Sequence, residues 1–559
     1  MTLLTTVSTS VAPAAITKVT RLFNGTLYDV LNELFQNARR AGATSIALST
    51  ERQGTAVRLS VIDDGVGIDE PEALVTLGHS GWDAEIVRRE DPAGMGIFSL
   101  AGRQVEIRSW SPRHAAGWKL LIEAEDWEAS NPVSLAPCAI ERGTTISFEL
   151  PAAWQNELGF AVARGALYFP LPITLNGEAL PRQDWLEGAE HIETTLGCRI
   201  GVFKTRSQPR PFEGLNFHGV LVASLLPRVT ECRPAVFWSV RIDIGDAPQL
   251  HLVLPARKEM VENVALEQLR AAAKTAIYRA IEKSASHRLS FDDWREAANL
   301  GMRLPEADNR LYRWQPARAE NAATLPGDLV QAASACVMPE FGPEIAQPLD
   351  RALRSNSGFS EILVEPEPNF AGYSWYDDLP RLRNCAFIIS ADGTEYRYDD
   401  LTDHPELASG RVEAITAEIA IGRNGERDGL VKLPMDLFVA YDPCYADYLE
   451  DAAIFLTHDS AADVEQLTAL LKAICFDPSE DRDSDSWDTQ EENFMLEARL
   501  IAIGHLHDED ATLIERCKLL VAKHLRWLLP KGKAVSILVS DDLISVELKT
   551  LPMDAGSPS

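Results

Sequence analysis

Apolar and polar residues follow two different periods in the first part of the chain. Between residues 27 and 41, apolar side chains recur at the spacing of one helix face. Residues 57–62 alternate and are rich in β-branched side chains, which predicts a strand that runs into Asp63. Ile97 follows two glycines and opens a second short helical pattern, and Thr144 opens another alternating strand.

The same two periods continue along the middle and the end of the chain. Asn176-Gly177 predicts a tight hairpin turn within residues 169–180. Further strands are expected at 199–203, 217–225, 236–244, 249–254, 386–390 and 412–421, with a final hairpin at 534–548. Helices are expected at 265–284 and 461–474, with a final helical region at 494–528.

Strands and helices both occur throughout the chain, so we expect an α+β protein. At 559 residues it should hold about three or four domains. The pattern places an acidic linker at 477–493, where carboxylates are dense. The predicted domains are 1–154, 155–300, 301–476 and 494–559.

The composition of the chain indicates which kinds of partner and which compartment to expect. The formal net charge of −30 repels nucleic acid over most of the surface, which disfavours nucleic acid as a partner without excluding it. Eight cysteines without a C-x-x-C spacing fit a reducing compartment rather than a disulfide framework. The start of the chain lacks a signal-peptide pattern, and no apolar stretch reaches membrane-spanning length. We therefore expect a cytoplasmic protein with no membrane partner.

The first predicted helix carries two polar residues that could do chemistry together. Glu33 and Asn37 are four positions apart, so they share one face of the helix. A carboxylate there can polarise an attacking water, and an amide oxygen can bind a Mg²⁺ that bridges phosphates. The alternative is a solvated polar face.

Asp63 stands at the end of the predicted strand and is followed by Gly65 and Gly67. A carboxylate fixed at this point can accept a hydrogen bond from an exocyclic base amine, which would select adenine. The two glycines allow a sharp turn and a close approach of backbone to ligand. The alternative is a plain turn.

Gly94, Met95, Gly96 and Ile97 form the next motif, where free backbone N–H groups at a helix start could hold an anion. Residues 69–93 would then be a mobile lid over the nucleotide, with His79 in a structural or solvent-facing role. The hydroxyl of Thr144, after Gly143, could complete a water network around Asp63. Its alternative role is that of an ordinary β-branched strand residue.

Together these motifs resemble the GHKL ATPases, the superfamily of DNA gyrase B, the ninety-kilodalton heat-shock chaperones, histidine kinases and MutL. The resemblance covers about the first quarter of the chain and implies a Bergerat fold, an α/β sandwich that binds ATP and Mg²⁺ under a lid. It assigns Glu33 as the general base and Asn37 as the Mg²⁺ ligand. The remaining nucleotide contacts are assigned to Asp63, Gly65, Gly67, Gly94, Met95, Gly96, Ile97 and Thr144.

Residues 155–300 resemble, more weakly, the transducer domain of gyrase B and MutL. In MutL a lysine on a strand and loop of this domain reaches the ATP site, and here the matching segment holds Arg257 and Lys258. Either residue could stabilise the terminal phosphate. The choice between them, and the alternative of two solvated loop cations, stays open. Residues 301–559 form an unassigned mixed α/β region.

The expected function is that of an ATPase whose lid closure and hydrolysis move domains against a protein client or effector, as in a chaperone or switch. Two alternatives remain, a non-hydrolysing ATP-sensing module and a DNA-associated clamp similar to MutL; protein kinase activity ranks below these. In several relatives an N-terminal segment reaches a second subunit, so the resemblance also implies a homodimer. His505, His507 and Asp508 are taken as surface polar residues rather than metal ligands.

Overall fold

The computed structural model divides into two compact units, Met1–Ala307 and Asp308–Ser559. Both units combine helices with mixed or antiparallel sheets, which confirms the α+β class. No helix among the described residues is both long and apolar enough to cross a bilayer. The structure describes residues 26–54, 56–76, 81–82, 86, 97–129, 132–209, 213–253, 259–320, 327–356, 362–399, 405–424, 428–442, 449–479, 481 and 483–550.

An eight-stranded sheet opens the first unit, with strand order β5-β4-β3-β6-β2-β1-β7-β8. All neighbours are antiparallel except β1 and β7, which are parallel. The strands are β1 (Ile46–Gln53), β2 (Ala56–Asp63), β3 (Val105–Ser111), β4 (Ala116–Ile122), β5 (Leu135–Pro137), β6 (Thr144–Glu149), β7 (Ile173–Leu175) and β8 (Glu178–Ala179). The helices of this part are α1 (Leu27–Arg40), α2 (Pro71–Leu74), α3 (Asp126–Ala129) and α4 (Ala152–Ala166), with a 3₁₀ turn at Ile97–Leu100.

Helix α1 forms where the apolar period predicts it. The Thr26 hydroxyl caps its first turn by accepting a hydrogen bond from the backbone N–H of Asp29 at 3.2 Å. Arg39 and Arg40 complement the helix dipole in the last turn. The apolar face is buried in the core of the first sheet, formed by Leu27, Val30, Leu31, Leu34 and Phe35.

The first core extends past the predicted boundary at residue 154. Trp154 and Val162 of α4 are buried in it, and the β7–β8 hairpin continues the sheet at the edge of β1. The hairpin turn lies at Asn176-Gly177, as the sequence predicts, with positive φ at both residues (51° and 82°). A local pattern identifies the turn, but only tertiary pairing decides which sheet its strands join.

A second, six-stranded sheet follows in the same unit, with order β12-β11-β14-β10-β9 and β13 paired to β14. Its core is closed by two helices, α5 and α6. Its strands are β9 (His191–Thr195), β10 (Cys198–Thr205), β11 (Glu213–Phe217), β12 (Val220–Ala223), β13 (Arg228–Glu231) and β14 (Val236–Ile244), and its helices are α5 (Val264–Glu282) and α6 (Phe291–Asn299).

Two predicted strands of this region differ from the structure. The single strand expected at 217–225 is a hairpin, because His218 and Gly219 both adopt positive φ (52° and 97°) and reverse the chain. The strand expected at 249–254 is reduced, within the described residues, to one isolated bridge between Leu252 and Met260. Alternation alone does not distinguish a continuous strand from one broken by a tight turn.

The second unit contains a two-stranded sheet β15-β16, a six-stranded sheet, a three-stranded sheet β21-β25-β24 and the hairpin β26-β27. In the six-stranded sheet the order is β18-β17-β19-β22-β23, and β20 also pairs with β19. The strands are β15 (Arg310–Tyr312), β16 (Leu329–Gln331), β17 (Ala335–Val337), β18 (Ile362–Val364), β19 (Arg381–Ala391), β20 (Thr394–Tyr398), β21 (Gly410–Val412), β22 (Ala414–Gly422), β23 (Gly429–Met435), β24 (Leu437–Ala440), β25 (Ala453–Thr457), β26 (Lys533–Ser540) and β27 (Leu543–Thr550).

The helix predicted at 461–474 is found at Val464–Cys475, the helices at Pro343–Ser355 and Ser374–Asp377 were not predicted, and two further regions differ. The acidic linker predicted at 477–493 is shorter, because α10 begins at Trp487 with Ser486 as its cap. The final helical region is two helices, because the side chain of Asp508 caps a new helix. The helices are α7 (Pro343–Ser355), α8 (Ser374–Asp377), α9 (Val464–Cys475), α10 (Trp487–Leu506) and α11 (Glu509–His524), with 3₁₀ turns at Pro368–Phe370, Leu449–Asp451 and Arg526–Leu528.

Candidate functional site

Asp63 ends β2 in the middle of the first sheet, opposite Ile46 of β1 and Thr144 of β6. Its carboxylate is half-buried and accepts a hydrogen bond from the backbone N–H of Gly65 at 2.9 Å. Burial raises the pKa of Asp63 to about 6, although hydrogen bonds from the backbone of Gly65 and Thr144 oppose the shift and the charge of Asp64 adds to it. Because burial disfavours the ionised form of Asp63, a hydrogen-bond donor on a bound ligand would stabilise its carboxylate.

Gly65 and Gly67 hold the chain beyond Asp63 close to neighbouring backbone. A Cβ at Gly65 would lie 2.8 Å from the carbonyl oxygen of Ala41 and 2.9 Å from the Asp63 carboxylate. Gly67 has φ +87°, and a Cβ there would lie 2.1 Å from the carbonyl oxygen of Trp110. Both predicted glycines are therefore required by the local geometry.

Gly143 approaches the same strand end from the other side. Its φ is +71°, and a Cβ would lie 2.0 Å from the carbonyl oxygen of Asp63. The next residue, Thr144, is buried, and its hydroxyl shares a 2.8 Å hydrogen bond with the buried hydroxyl of Ser109. The backbone of Thr144 thus lies beside Asp63, whereas its hydroxyl is used in the hydrogen bond to Ser109, between β6 and β3.

The neighbouring carboxylate, Asp64, faces a different set of partners. It accepts hydrogen bonds from the backbone N–H groups of Thr44 (2.6 Å) and Ser45 (3.0 Å), and from the Thr44 hydroxyl. Burial acts to raise the pKa of Asp64, but these hydrogen bonds outweigh it and lower the pKa to about 2. Asp64 is therefore a structural brace between β2 and the segment that follows α1.

The C-terminal end of α1 is attached to the loop after Asp63. The carbonyl oxygen of Ala41, the residue that caps α1, accepts a hydrogen bond from the backbone N–H of Val66 at 2.9 Å. Asn37 lies one turn earlier, half-buried, and its side-chain oxygen accepts a 3.2 Å hydrogen bond from Arg40. The structure thus links the end of α1, which carries Asn37, to the loop that begins at Asp63.

Glu33 lies one turn before Asn37 on α1 and is also half-buried. Between them, Gln36 is buried, and its amide donates a 2.7 Å hydrogen bond to the carbonyl oxygen of His218. His218 forms the turn between β11 and β12, so the helix with Glu33 is tied to the second sheet.

Several predicted site residues fall outside the described residues, namely Gly94, Met95, Gly96, His79, Arg257 and Lys258. Most of the predicted lid after residue 76 also lies outside them. Ile97 is described, and its side chain is buried in the first core. Any ligand contact by Ile97 would therefore use its backbone.

Asn37 is the residue that the sequence predicts as a Mg²⁺ ligand. Among the described residues no group of three or more His, Cys, Asp or Glu side chains could hold a metal. Mg²⁺ is commonly held by one or two protein oxygens together with phosphates and water. The side-chain oxygen of Asn37 suits that role if Arg40 releases it.

Two residues important to this region carried no signal in the sequence, and a third carried only a weak one. Ser109, Gln36 and Asp64 act through partners 35, 182 and 20 residues away along the chain. Asp64 could have been noticed as the second acid of an Asp-Asp pair, but its opposite pKa shift depends on Thr44. Ser109 and Gln36 could be identified only once β3, β6 and the second sheet were placed.

Comparisons with known proteins add no family assignment. A scan against protein-family models found none that matches the chain, and a search of curated proteins found no matching sequence.

Proposed function

We propose that the first unit binds ATP with Mg²⁺ and hydrolyses it, so that nucleotide turnover moves the second sheet against α1. The observation that carries this proposal is the setting of Asp63, a half-buried carboxylate at the centre of a sheet, bordered by glycines at 65, 67 and 143. It supports recognition of a base amine because the carboxylate can only accept hydrogen bonds when ionised.

The two polar residues of α1 supply the remaining chemistry. Asn37 would hold the metal ion that bridges the phosphates, and Glu33 would take the proton from the attacking water. Both lie on the helix whose end is attached to the loop after Asp63. The bond between Gln36 and His218 offers the path by which the state of the site reaches the second sheet.

The first experiment is calorimetry of the full chain with ATP and with GTP in the presence of Mg²⁺. Adenine offers an amine where guanine offers a carbonyl, so the Asp63 carboxylate should favour ATP by at least about ten-fold. Asp63→Asn should weaken ATP binding and remove the discrimination, because an amide can donate as well as accept. Asp64→Asn is the matched control, since its carboxylate faces Thr44, and it should keep both affinities.

Hydrolysis is tested separately by phosphate release. Glu33→Gln should keep ATP affinity and lower the rate by about 100-fold or more if Glu33 is the general base. Wild-type protein that binds ATP but releases no phosphate above background would identify an ATP-sensing module instead. Absence of ATP binding in the wild type, or unchanged binding in Asp63→Asn, would refute the proposal.

A further inference from the structure

A cavity of about 450 Å³ opens in the second sheet. It is lined by residues 203–205 and 207–209 at and after the end of β10, Gly214 of β11, Ser224 and residues 226–228 before and at the start of β13, and residues 239–241 of β14. Its volume lies within the range of small-molecule sites, about 300–1,000 Å³.

Three cationic side chains, Lys204, Arg228 and Arg241, line this cavity, and its lining contains no Asp or Glu. Among the described residues no carboxylate lies within ion-pairing distance of any of the three. Uncompensated positive charge is unusual in a chain whose net charge is −30, because most basic groups have acidic neighbours available. The cavity is therefore a local positive site on an acidic protein.

Ring contacts fix two of the cations. The Arg241 guanidinium lies 4.6 Å from the ring centre of Phe203 and 5.0 Å from that of Trp185. Lys204 pairs with Trp238 of β14 and therefore projects from the opposite face of the sheet, where its ammonium lies 4.8 Å from the ring centre of Trp238. Such contacts limit rotamer freedom, so less conformational entropy is lost when a ligand binds.

The third cation is positioned by strand register, because Arg228 of β13 pairs directly with Ser239 of β14. Residues directly opposite in an antiparallel pair project from the same face of the sheet. Ser239 also lines the cavity, so a hydroxyl and a guanidinium lie side by side there.

Ser224 also belongs to the cavity lining, but its side chain is 8% exposed and its hydroxyl is buried without a hydrogen-bond partner. A buried polar group without a partner is costly and uncommon. Nearby, the Thr205 hydroxyl accepts from the backbone N–H of Ser207 at 3.0 Å, which leaves its own proton available to a ligand.

We propose that this cavity binds a small phosphate-bearing anion, held by Arg228 and Arg241 and by the hydroxyls of Ser239 and Thr205. Arginine only donates hydrogen bonds, so the ligand must supply several acceptor oxygens. Guanidinium groups match phosphate in a two-pronged geometry, and further phosphate oxygens can accept the protons of the two hydroxyls. This inference does not depend on the proposed ATP site.

The test is calorimetry of the full chain with inorganic pyrophosphate at low salt, compared among charge-matched variants. Arg228→Gln and Arg241→Gln should each weaken binding by at least about ten-fold, since a charge-assisted hydrogen bond is lost. Arg52→Gln, which removes an exposed arginine of β1, should stay within about two-fold. Binding should also weaken as salt rises.

Ser239→Ala separates a ligand contact from a structural role. It should weaken pyrophosphate binding while leaving the melting temperature of the free protein nearly unchanged, because the backbone pairing of Ser239 with Arg228 does not use the side chain. Absence of heat in the wild type, or equal affinity in Arg228→Gln, Arg241→Gln and wild type, would overturn the proposal. Malonate binding as tightly as pyrophosphate would overturn its assignment to phosphate.

Discussion

The two proposed sites of the first unit are formed by different kinds of groups. Around Asp63, the essential groups are one carboxylate and backbone without side chains, with glycines at 65, 67 and 143. In the second sheet, the cavity is lined by long cations and hydroxyls from three segments, and its electrostatic sign is opposite. One site restricts side-chain volume around an acid, and the other concentrates positive charge.

This difference determines which site a sequence can reveal. Glycines with positive φ and an acid at a strand end form a short pattern with little freedom, so they can be recognised locally. The arginines at 228 and 241 lie on different strands, whose pairing must be known before the two side chains can be placed on one face. Substitutions that alter side-chain volume, charge or hydrogen bonding can test this difference between the two sites.

The largest expected effect comes from Gly143→Ala. A Cβ at this position would lie 2.0 Å from the Asp63 carbonyl oxygen, and φ is +71°, so steric overlap adds to backbone strain. We expect a loss of about 3–5 kcal/mol in the free energy of unfolding, measured by denaturant titration of the full chain.

Gly177→Ala is the control for Gly143→Ala. Its φ is +82°, but a Cβ there meets no atom within 4 Å, so only backbone strain applies and about 1 kcal/mol should be lost. Equal losses in the two variants would mean that the close approach at Asp63 is not rigid, and the volume restriction at that site would not hold.

The second prediction concerns how Asp63 changes the stability of the protein with pH. Its pKa is raised to about 6, so the stability gained from its protonated form is complete below about pH 4 and is lost as pH rises through 6. Asp63→Asn removes this loss. Relative to wild type, its free energy of unfolding should therefore be higher at pH 8 by about 2 kcal/mol and nearly unchanged at pH 4, after allowance for partial exposure.

Unfolding midpoints of wild type and Asp63→Asn at pH 4, 6 and 8 measure this change directly. The difference between the two proteins should grow with pH mainly between about pH 4 and pH 6 and level off above pH 6. A pH-independent difference would show that Asp63 is well solvated, and it would remove the main support for a strained acceptor at this site.

The third prediction is the opposite pH dependence at the adjacent residue. The pKa of Asp64 is lowered to about 2, so its contribution is present above pH 4 and is lost as pH falls towards 2. Asp64→Asn should destabilise the protein at pH 7 by about 1 kcal/mol, because Asp64 is partly exposed and solvent screens it. Unfolding at pH 7 and pH 3 measures the difference, and a stabilising effect at pH 7 would contradict the bracing role.

The two aspartates also show how far the sequence could predict the site. The strand end at Asp63, the glycines after it and the helix with Glu33 and Asn37 are in their predicted elements. The different roles of Asp63 and Asp64 could not be predicted, because they depend on Thr44 and Gly65 after folding. The β7–β8 hairpin shows the same limit. Its turn could be predicted from neighbouring residues, but the pairing of β7 with β1 could not, because it joins distant parts of the chain.

The smallest expected effect compares one buried hydroxyl at each site. Thr144→Val removes the 2.8 Å bond to Ser109 and should cost about 1 kcal/mol, whereas Ser224→Ala removes a hydroxyl without a partner and should cost nothing. The Ser109→Ala/Thr144→Val double variant should be less stable than Thr144→Val by up to about 1 kcal/mol, because the Ser109 hydroxyl also donates to the carbonyl oxygen of Gly143 at 3.2 Å and that bond is then lost. Denaturant midpoints of the four proteins test this. If Ser224→Ala lost as much stability as Thr144→Val, its hydroxyl would have a partner within the protein.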